Sequence, residues 1–355
     1  MSFCPEIYKG LFLNPTKQNV HVSPCCQSRG TSVTDLDYTT NEFLQKLRIE
    51  NAHGVRSTEC NRCWETEQAG GTSKRQSSLE FLPSADTVPE IQSLEYNVTW
   101  ACNLACIMCG PHWSSSWAKE LGITDSDNIG QKHKNKIVNS LDLSKLKRIH
   151  FNGGEPLINN DHVKLLEKIE HLDTCKVTYN TNGTIWPGQQ AIDFWEKAQM
   201  VRLFLSIDAI DTAFEYIRWP GKWEQTQNNI EKMKKELPNN VLFGFNITVG
   251  AYNLLEVKEL YQWFEQNLAT NREGDTSDFN WQIAFNFDYK YLPEIIKQDV
   301  LEQLDDCKPL QSLYNSVNNC LNYIPKNDWM QKLDTIDARR NTSWKESLKI
   351  GQYYK

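Results

Sequence analysis

From residue 94 to residue 287 the chain alternates short apolar runs with amphipathic stretches, six times over. The apolar runs lie at 94–100, 148–151, 176–180, 201–207, 242–249 and 281–287. The amphipathic ones lie at 114–121, 132–141, 161–172, 191–199, 223–237 and 255–266. Strands that alternate with helices pair in parallel and carry their helices on the faces of the sheet. The sequence therefore predicts an α/β fold. Eight such units would close a barrel, and six leave it partial and open.

Polar and glycine-rich motifs fall where these predicted strands end, the edge at which parallel sheets bind ligands. After the first strand come Cys102, Cys106 and Cys109, spaced C-x₃-C-x₂-C. After the second comes Gly153-Gly154-Glu155-Pro156, and the third ends in Asn180-Thr181-Asn182-Gly183. The fourth ends in Ser206-Ile207-Asp208, with Arg218 ten residues on. Three thiolates on one loop can hold a metal centre but do not complete the closed four-ligand set of structural zinc. A cubane iron–sulfur cluster usually takes four cysteines, so three imply one iron left for another ligand. The alternatives on residues alone are a zinc loop or buried free thiols.

The cysteine triplet and the GGEP stretch that follows it resemble the radical S-adenosylmethionine (SAM) family. The resemblance implies a partial (β/α)6 barrel and a [4Fe–4S] cluster on Cys102, Cys106 and Cys109 whose open iron is chelated by SAM. In the family one electron cleaves SAM to a 5′-deoxyadenosyl radical, which takes a hydrogen atom from the substrate. Carried onto this chain, Gly153, Gly154 and Glu155 would bind the SAM amino group, and the Met108 backbone would lie near the adenine. Ser206 would contact the SAM carboxylate and Arg218 would pair with it. Asn180 would line the pocket. Asp208 and Asn182 are the candidates for work at the ribose or substrate.

The first third holds eight of the chain's 11 cysteines. Residues 1–85 have too little apolar content for an independent core, and a metal centre would make up the stabilisation. Val22-Ser23-Pro24-Cys25 and the later pair Cys60/Cys63 resemble the twitch domain, the short form of the SPASM domain, which carries an auxiliary [4Fe–4S] cluster. Cys4 would be the remaining ligand. Cys25 and Cys26 compete for one position because neighbours on a strand point to opposite faces, and Cys25 is favoured. In better-known members this domain follows the barrel, whereas here it comes first. A four-cysteine zinc knuckle is the alternative.

The expected division is 1–85 twitch-like cluster domain, 86–292 partial barrel and 293–355 helical extension, with 82–93 as linker. The extension should cover the barrel's side or meet the N-terminal segment. Cys175, Cys307 and Cys320 read as ordinary thiols. A net charge of −7 argues against a nucleic-acid-binding surface. No apolar run is long enough to span a bilayer, and the N-terminus lacks a signal-peptide pattern. Clustered cysteines without signs of export point to the cytoplasm. Expected partners are a small-molecule, sugar-like or peptide substrate and an external one-electron donor such as flavodoxin or ferredoxin. A non-catalytic iron–sulfur or zinc sensor on the same scaffold is the alternative from another class.

Overall fold

Nine strands are present in the computed structural model, which describes residues 3–68, 71–82, 86–123, 129–268, 278–284 and 286–354. Residues 69–70, 83–85 of the expected linker, 124–128 and Phe285 of the sixth expected strand lie outside the described residues. The chain divides into two compact units. The first comprises Met1–Trp100, Thr124–Tyr179 and Pro187–Val201, and the second Ala101–Ile123, Asn180–Trp186 and Arg202–Lys355.

The first unit contains β1 (Gly10–Pro15), β2 (Val20–Ser23), β3 (Thr31–Val33), β4 (Ser93–Asn97), β5 (Arg148–Asn152) and most of β6 (Lys176–Thr181), in the order β3-β2-β1-β4-β5-β6. The pairs β1–β4, β4–β5 and β5–β6 are parallel, while β1–β2 and β2–β3 are antiparallel. All five residues of β4 are buried, as expected for a strand covered on both faces. Tyr96 of β4 stands edge-on to Phe151 of β5, which stacks on Tyr179 of β6 at 4.7 Å.

Strand β1 is not legible in the sequence, and it changes the place of the N-terminal segment. Leu11 opposes Leu94 and Leu13 opposes Tyr96, so residues 10–15 lie in the same sheet as β4. The segment taken to be short of core thus shares one, with Leu11, Leu13, Val20 and Val22 fully buried. Among the described residues it also carries the short helix Glu6–Lys9 and the helices Glu42–Ala52, Asn61–Gln68 and Lys74–Phe81. The last starts at a capping box between Ser73 and Gln76.

The second unit contains most of β7 (Met200–Leu205), with β8 (Val241–Val249) and β9 (Asp278–Ile283) beside it in that order. β8 and β9 are parallel. Helix Trp223–Glu236 buries Trp223, Thr226, Ile230 and Met233, the three-and-four spacing of a helix with one apolar face. Helix Val257–Asn267 does the same with Val257, Leu260, Tyr261 and Phe264. The extension is helical at Glu294–Leu304, Gln311–Asn318 and Asp328–Arg340. Among the described residues, no helix is long and apolar enough to cross a membrane.

Candidate metal-cluster site

In the second unit, residues 101–110 form a loop whose backbone is held at the carbonyls of Cys102, Leu104, Ala105 and Cys106. Cys102 O accepts from Ser115 Oγ (3.2 Å) and Ser116 Oγ (2.7 Å), and Leu104 O from Ser114 Oγ (2.5 Å). Ala105 O accepts from the Arg340 guanidinium (2.7 Å), and Cys106 O from the Trp117 indole (2.7 Å). Ser114 also caps helix Ser115–Glu120 through Trp117 N, so one serine fixes both helix and loop. On the other side, Ala105 N donates to Trp219 O (2.6 Å) and Ile107 N to Ile217 O (2.9 Å). That two-bond register sets Cys106 opposite Arg218.

The thiols themselves face a different set of donors. Leu104 N points at Cys102 Sγ (3.5 Å) and Arg218 Nη1 at Cys106 Sγ (3.7 Å). Cys109 N closes a turn onto Cys106 O (2.9 Å), which brings the last two cysteines together. Burial pushes both of their thiols up, Cys109 to about 11, and at Cys106 the guanidinium opposes the shift. The family's cluster would be held here by Cys102, Cys106 and Cys109. The donor set fits it, with three thiols on one eight-residue loop and N–H donors aimed at two of the sulfurs. Met108 is half-buried on the same loop.

Asp208 and Arg218 are turned toward one another. The carboxylate is fully buried and ion-paired to Arg218 Nη2 at 2.7 Å, and Thr248 N donates to its other oxygen at 2.8 Å. Asn253 Nδ2 donates to the Asp208 carbonyl. The expectation placed Asp208 at ribose or substrate and Arg218 on a SAM carboxylate. In this structure their charges meet each other, and Arg218 meets Cys106.

Asn182 is likewise engaged within the protein. Its amide nitrogen donates to Asn103 Oδ1 (2.9 Å), and its oxygen accepts from Thr184 N (2.9 Å) and Thr184 Oγ (2.6 Å). Asn103 Nδ2 donates back to Thr184 Oγ (2.8 Å), closing a three-residue ring. The ring ties the turn after β6 to the residue between Cys102 and Leu104. Gly183 makes that turn at φ +74°, where a side chain would be strained. Asn180 accepts from Asn246 of β8 (2.6 Å). Ser206 is half-buried, and its backbone N donates to Thr181 O.

Gly153, Gly154 and Glu155 belong to the first unit. Gly153 has φ +126°, and a Cβ there would sit 2.5 Å from Thr99 O. Gly154 N donates to the same carbonyl at 2.6 Å. The close approach that demands glycine is therefore to the chain just past β4. Glu155 is buried, and its Oε1 accepts from Leu157 N (3.1 Å), capping the turn Pro156–Ile158.

Also within the first unit, Cys4, Cys25, Cys60 and Cys63 line one cavity together with Glu6, Lys74 and Trp64. Cys60 ends the turn Thr58–Cys60, and Cys63 lies in the first turn of the following helix. Cys26 is directed elsewhere, to the Glu95 carboxylate and an open pocket beside Arg29 and Arg62. As donors, the four thiols suit a cubane. Among the described residues, no three His, Cys, Asp or Glu side chains converge on a single-ion position. None of the eleven cysteines is in a disulfide.

Sequence reasoning missed Asn103, Arg340 and the Ser114–Ser116 run. The serines were findable as a helix N-cap signal beside the loop. Nothing local marks Arg340, which lies 235 residues from its acceptor.

Residues 96–264 match the sequence profile of the Radical SAM superfamily. This stretch is a radical SAM domain. The family implies a [4Fe–4S] cluster and SAM as cofactors. The chain is 26% identical over 156 residues to a probable GTP 3′,8-cyclase of Methanococcus vannielii, covering 44% of this chain and 47% of that protein. It is 33% identical over 93 residues to a probable GTP 3′,8-cyclase of Methanothermobacter marburgensis, covering 26% and 28%. The chain thus spans less than half the length of these curated relatives. Among solved structures it is similar to native anSMEcpe with bound AdoMet, at 16% identity and TM-score 0.41 over 61% of this chain and 59% of that one. It is also similar to Streptococcus suis SuiB bound to precursor peptide SuiA, at 12% identity and TM-score 0.40 over 87% and 70%.

Proposed function

We propose that the protein is a radical SAM enzyme with a partial barrel, a SAM-binding cluster on Cys102, Cys106 and Cys109, and an auxiliary cluster on Cys4, Cys25, Cys60 and Cys63. The observation that carries the reading is the 101–110 loop, in which side-chain donors hold four of the carbonyls and three thiols are offered to a metal. When bound, the cluster and SAM would supply a 5′-deoxyadenosyl radical able to remove a hydrogen atom from an unactivated C–H bond. The chain's own residues bind and position. Gly153, Gly154 and Glu155 would hold the SAM ammonium, since a buried carboxylate accepts strongly from that group. Ser206 and Asn180 would line the SAM or substrate pocket.

A small-molecule substrate is the favoured class. In support, the relatives are named for cyclisation of GTP, itself a small molecule. An external one-electron donor such as flavodoxin or ferredoxin would supply the reductant. A cytoplasmic setting suits cysteines that serve as cluster ligands.

The test is anaerobic reconstitution followed by SAM and dithionite. Roughly eight irons with matching sulfide, and release of 5′-deoxyadenosine, are expected. Zinc in place of iron, or iron without SAM cleavage, would remove the enzyme reading and leave the sensor. For Glu155, calorimetry on Glu155→Ala should show SAM affinity weakened at least tenfold. Unchanged affinity would take the ammonium from it.

A further inference from the structure

Arg218 is held in place from three directions. Its neighbours Ile217 and Trp219 accept from Ile107 N and Ala105 N, so the backbone register leaves its side chain beside Cys106. One guanidinium nitrogen lies 3.7 Å from Cys106 Sγ, and another is 2.7 Å from the fully buried Asp208. Asp208 is anchored in turn by Thr248 N at one oxygen, and by Asn253 Nδ2 at its own carbonyl. This is a built arrangement of a thiol, a guanidinium and a carboxylate, with the cation in the middle.

A hydrogen bond to a cluster thiolate, and a positive charge beside it, favour the reduced, more negative cluster. A buried carboxylate behind the cation offsets part of that charge. We propose that Arg218 is a positioning residue that sets the electron affinity of the cluster on Cys102, Cys106 and Cys109 by donating to Cys106 Sγ, and that Asp208 holds the guanidinium there and moderates its charge. The inference rests on the reading of this loop as a cluster loop. It assigns the two residues a partner inside the protein, where the family resemblance assigned them SAM and substrate.

The two charges have opposite signs, so their removal must shift the cluster in opposite directions. The measurement is an EPR-monitored redox titration of the reconstituted full chain, following the signal that changes when SAM is added. In Arg218→Gln the midpoint should move negative by at least about 59 mV, a tenfold fall in the reduced-to-oxidised ratio for one electron. In Asp208→Asn it should move positive. Shifts of the same sign, or none in either variant, overturn the inference. So does a tenfold loss of SAM affinity in Arg218→Gln with the midpoint unmoved, which would give the guanidinium, through its unpaired Nε, to the SAM carboxylate. Should Arg218→Gln load no iron, the sign of the Asp208→Asn shift decides alone. A wild-type chain that assembles no SAM-responsive cluster defeats the underlying reading instead, and the two failures are distinguishable.

Discussion

Gly153 meets two requirements that alanine cannot. Its φ of +126° lies where side chains are strained, and a Cβ would press against Thr99 O at 2.5 Å. Gly153→Ala should therefore cost about 3 kcal/mol, combining backbone strain with displacement of the chain after β4. Urea denaturation would show it, and a change below about 0.5 kcal/mol would mean that the turn adapts. Cys25 and Cys26 offer a second residue-scale test. Cys25 lines the four-thiol cavity and Cys26 faces Glu95, so Cys25→Ser should lose about four of roughly eight irons while Cys26→Ser keeps them. The reverse pattern would assign the ligand to Cys26. At this scale the sequence made the cysteine triplet and the GGE stretch visible, because each is a local motif whose spacing can be read without the fold. It did not show what Asp208, Asn182 and Arg218 touch. Their partners Asn253, Asn103 and Cys106 lie on other segments, and only the folded backbone brings them together.

Elements of the repeating α/β part were legible because periodicity and burial agree there. Helix Trp223–Glu236 falls within a residue of its expectation, as does β8. β1 was not, since GLFLNP is short, ends in proline and gives no clear alternation, yet β4 beside it makes it a buried strand. Tertiary pairing overrides weak local preference in this way. Another pairing fixes the chain's end. Glu256, at the turn before helix Val257–Asn267, is buried and accepts from Lys349 N at 2.7 Å. Burial raises its carboxyl from 4.5 to about 7, against the pull of the Lys349 backbone and charge. The folded state therefore binds a proton there that the unfolded chain has released, and ν_U − ν_N is negative between those values. This group's contribution is fully present below about pH 4.5 and is lost as pH rises through about 7, on the order of 3 kcal/mol in all. Glu256→Gln keeps an acceptor for Lys349 N without the charge. Its unfolding midpoint should exceed that of the wild type at pH 8, and the gap should shrink toward pH 5. A gap independent of pH would show that Glu256 does not titrate in this range.

On the scale of the whole molecule, the loop that would hold the SAM-binding cluster depends on a residue near the other end of the chain. Arg340 ends helix Asp328–Arg340 and donates to Ala105 O, while two of its nitrogens engage both Glu120 oxygens at 3.0–3.2 Å. The guanidinium lies 4.6 Å from the Trp117 ring, whose indole holds Cys106 O. One side chain thus joins the extension, the helix after the loop and the loop itself, all within the second unit. The sequence predicted a helical extension without showing that any part of it reaches the cysteines, because no local pattern encodes a contact across 235 residues. Arg340→Ala would leave Glu120 only its longer contact with Arg339 (3.6 Å) in a largely buried setting and free the Ala105 carbonyl, at a cost of about 2 kcal/mol. Arg340→Lys keeps the charge but cannot form the bidentate pair and the carbonyl bond together, so it should fall between. If the side chain pins the loop, amide exchange at 101–110 should quicken at least tenfold in Arg340→Ala, while exchange in β8 follows only the global loss of stability. Equal acceleration in both segments would make Arg340 a general stabiliser. Unchanged exchange in the loop would mean that the serines, Trp117 and the 217–219 register hold the cysteines without it.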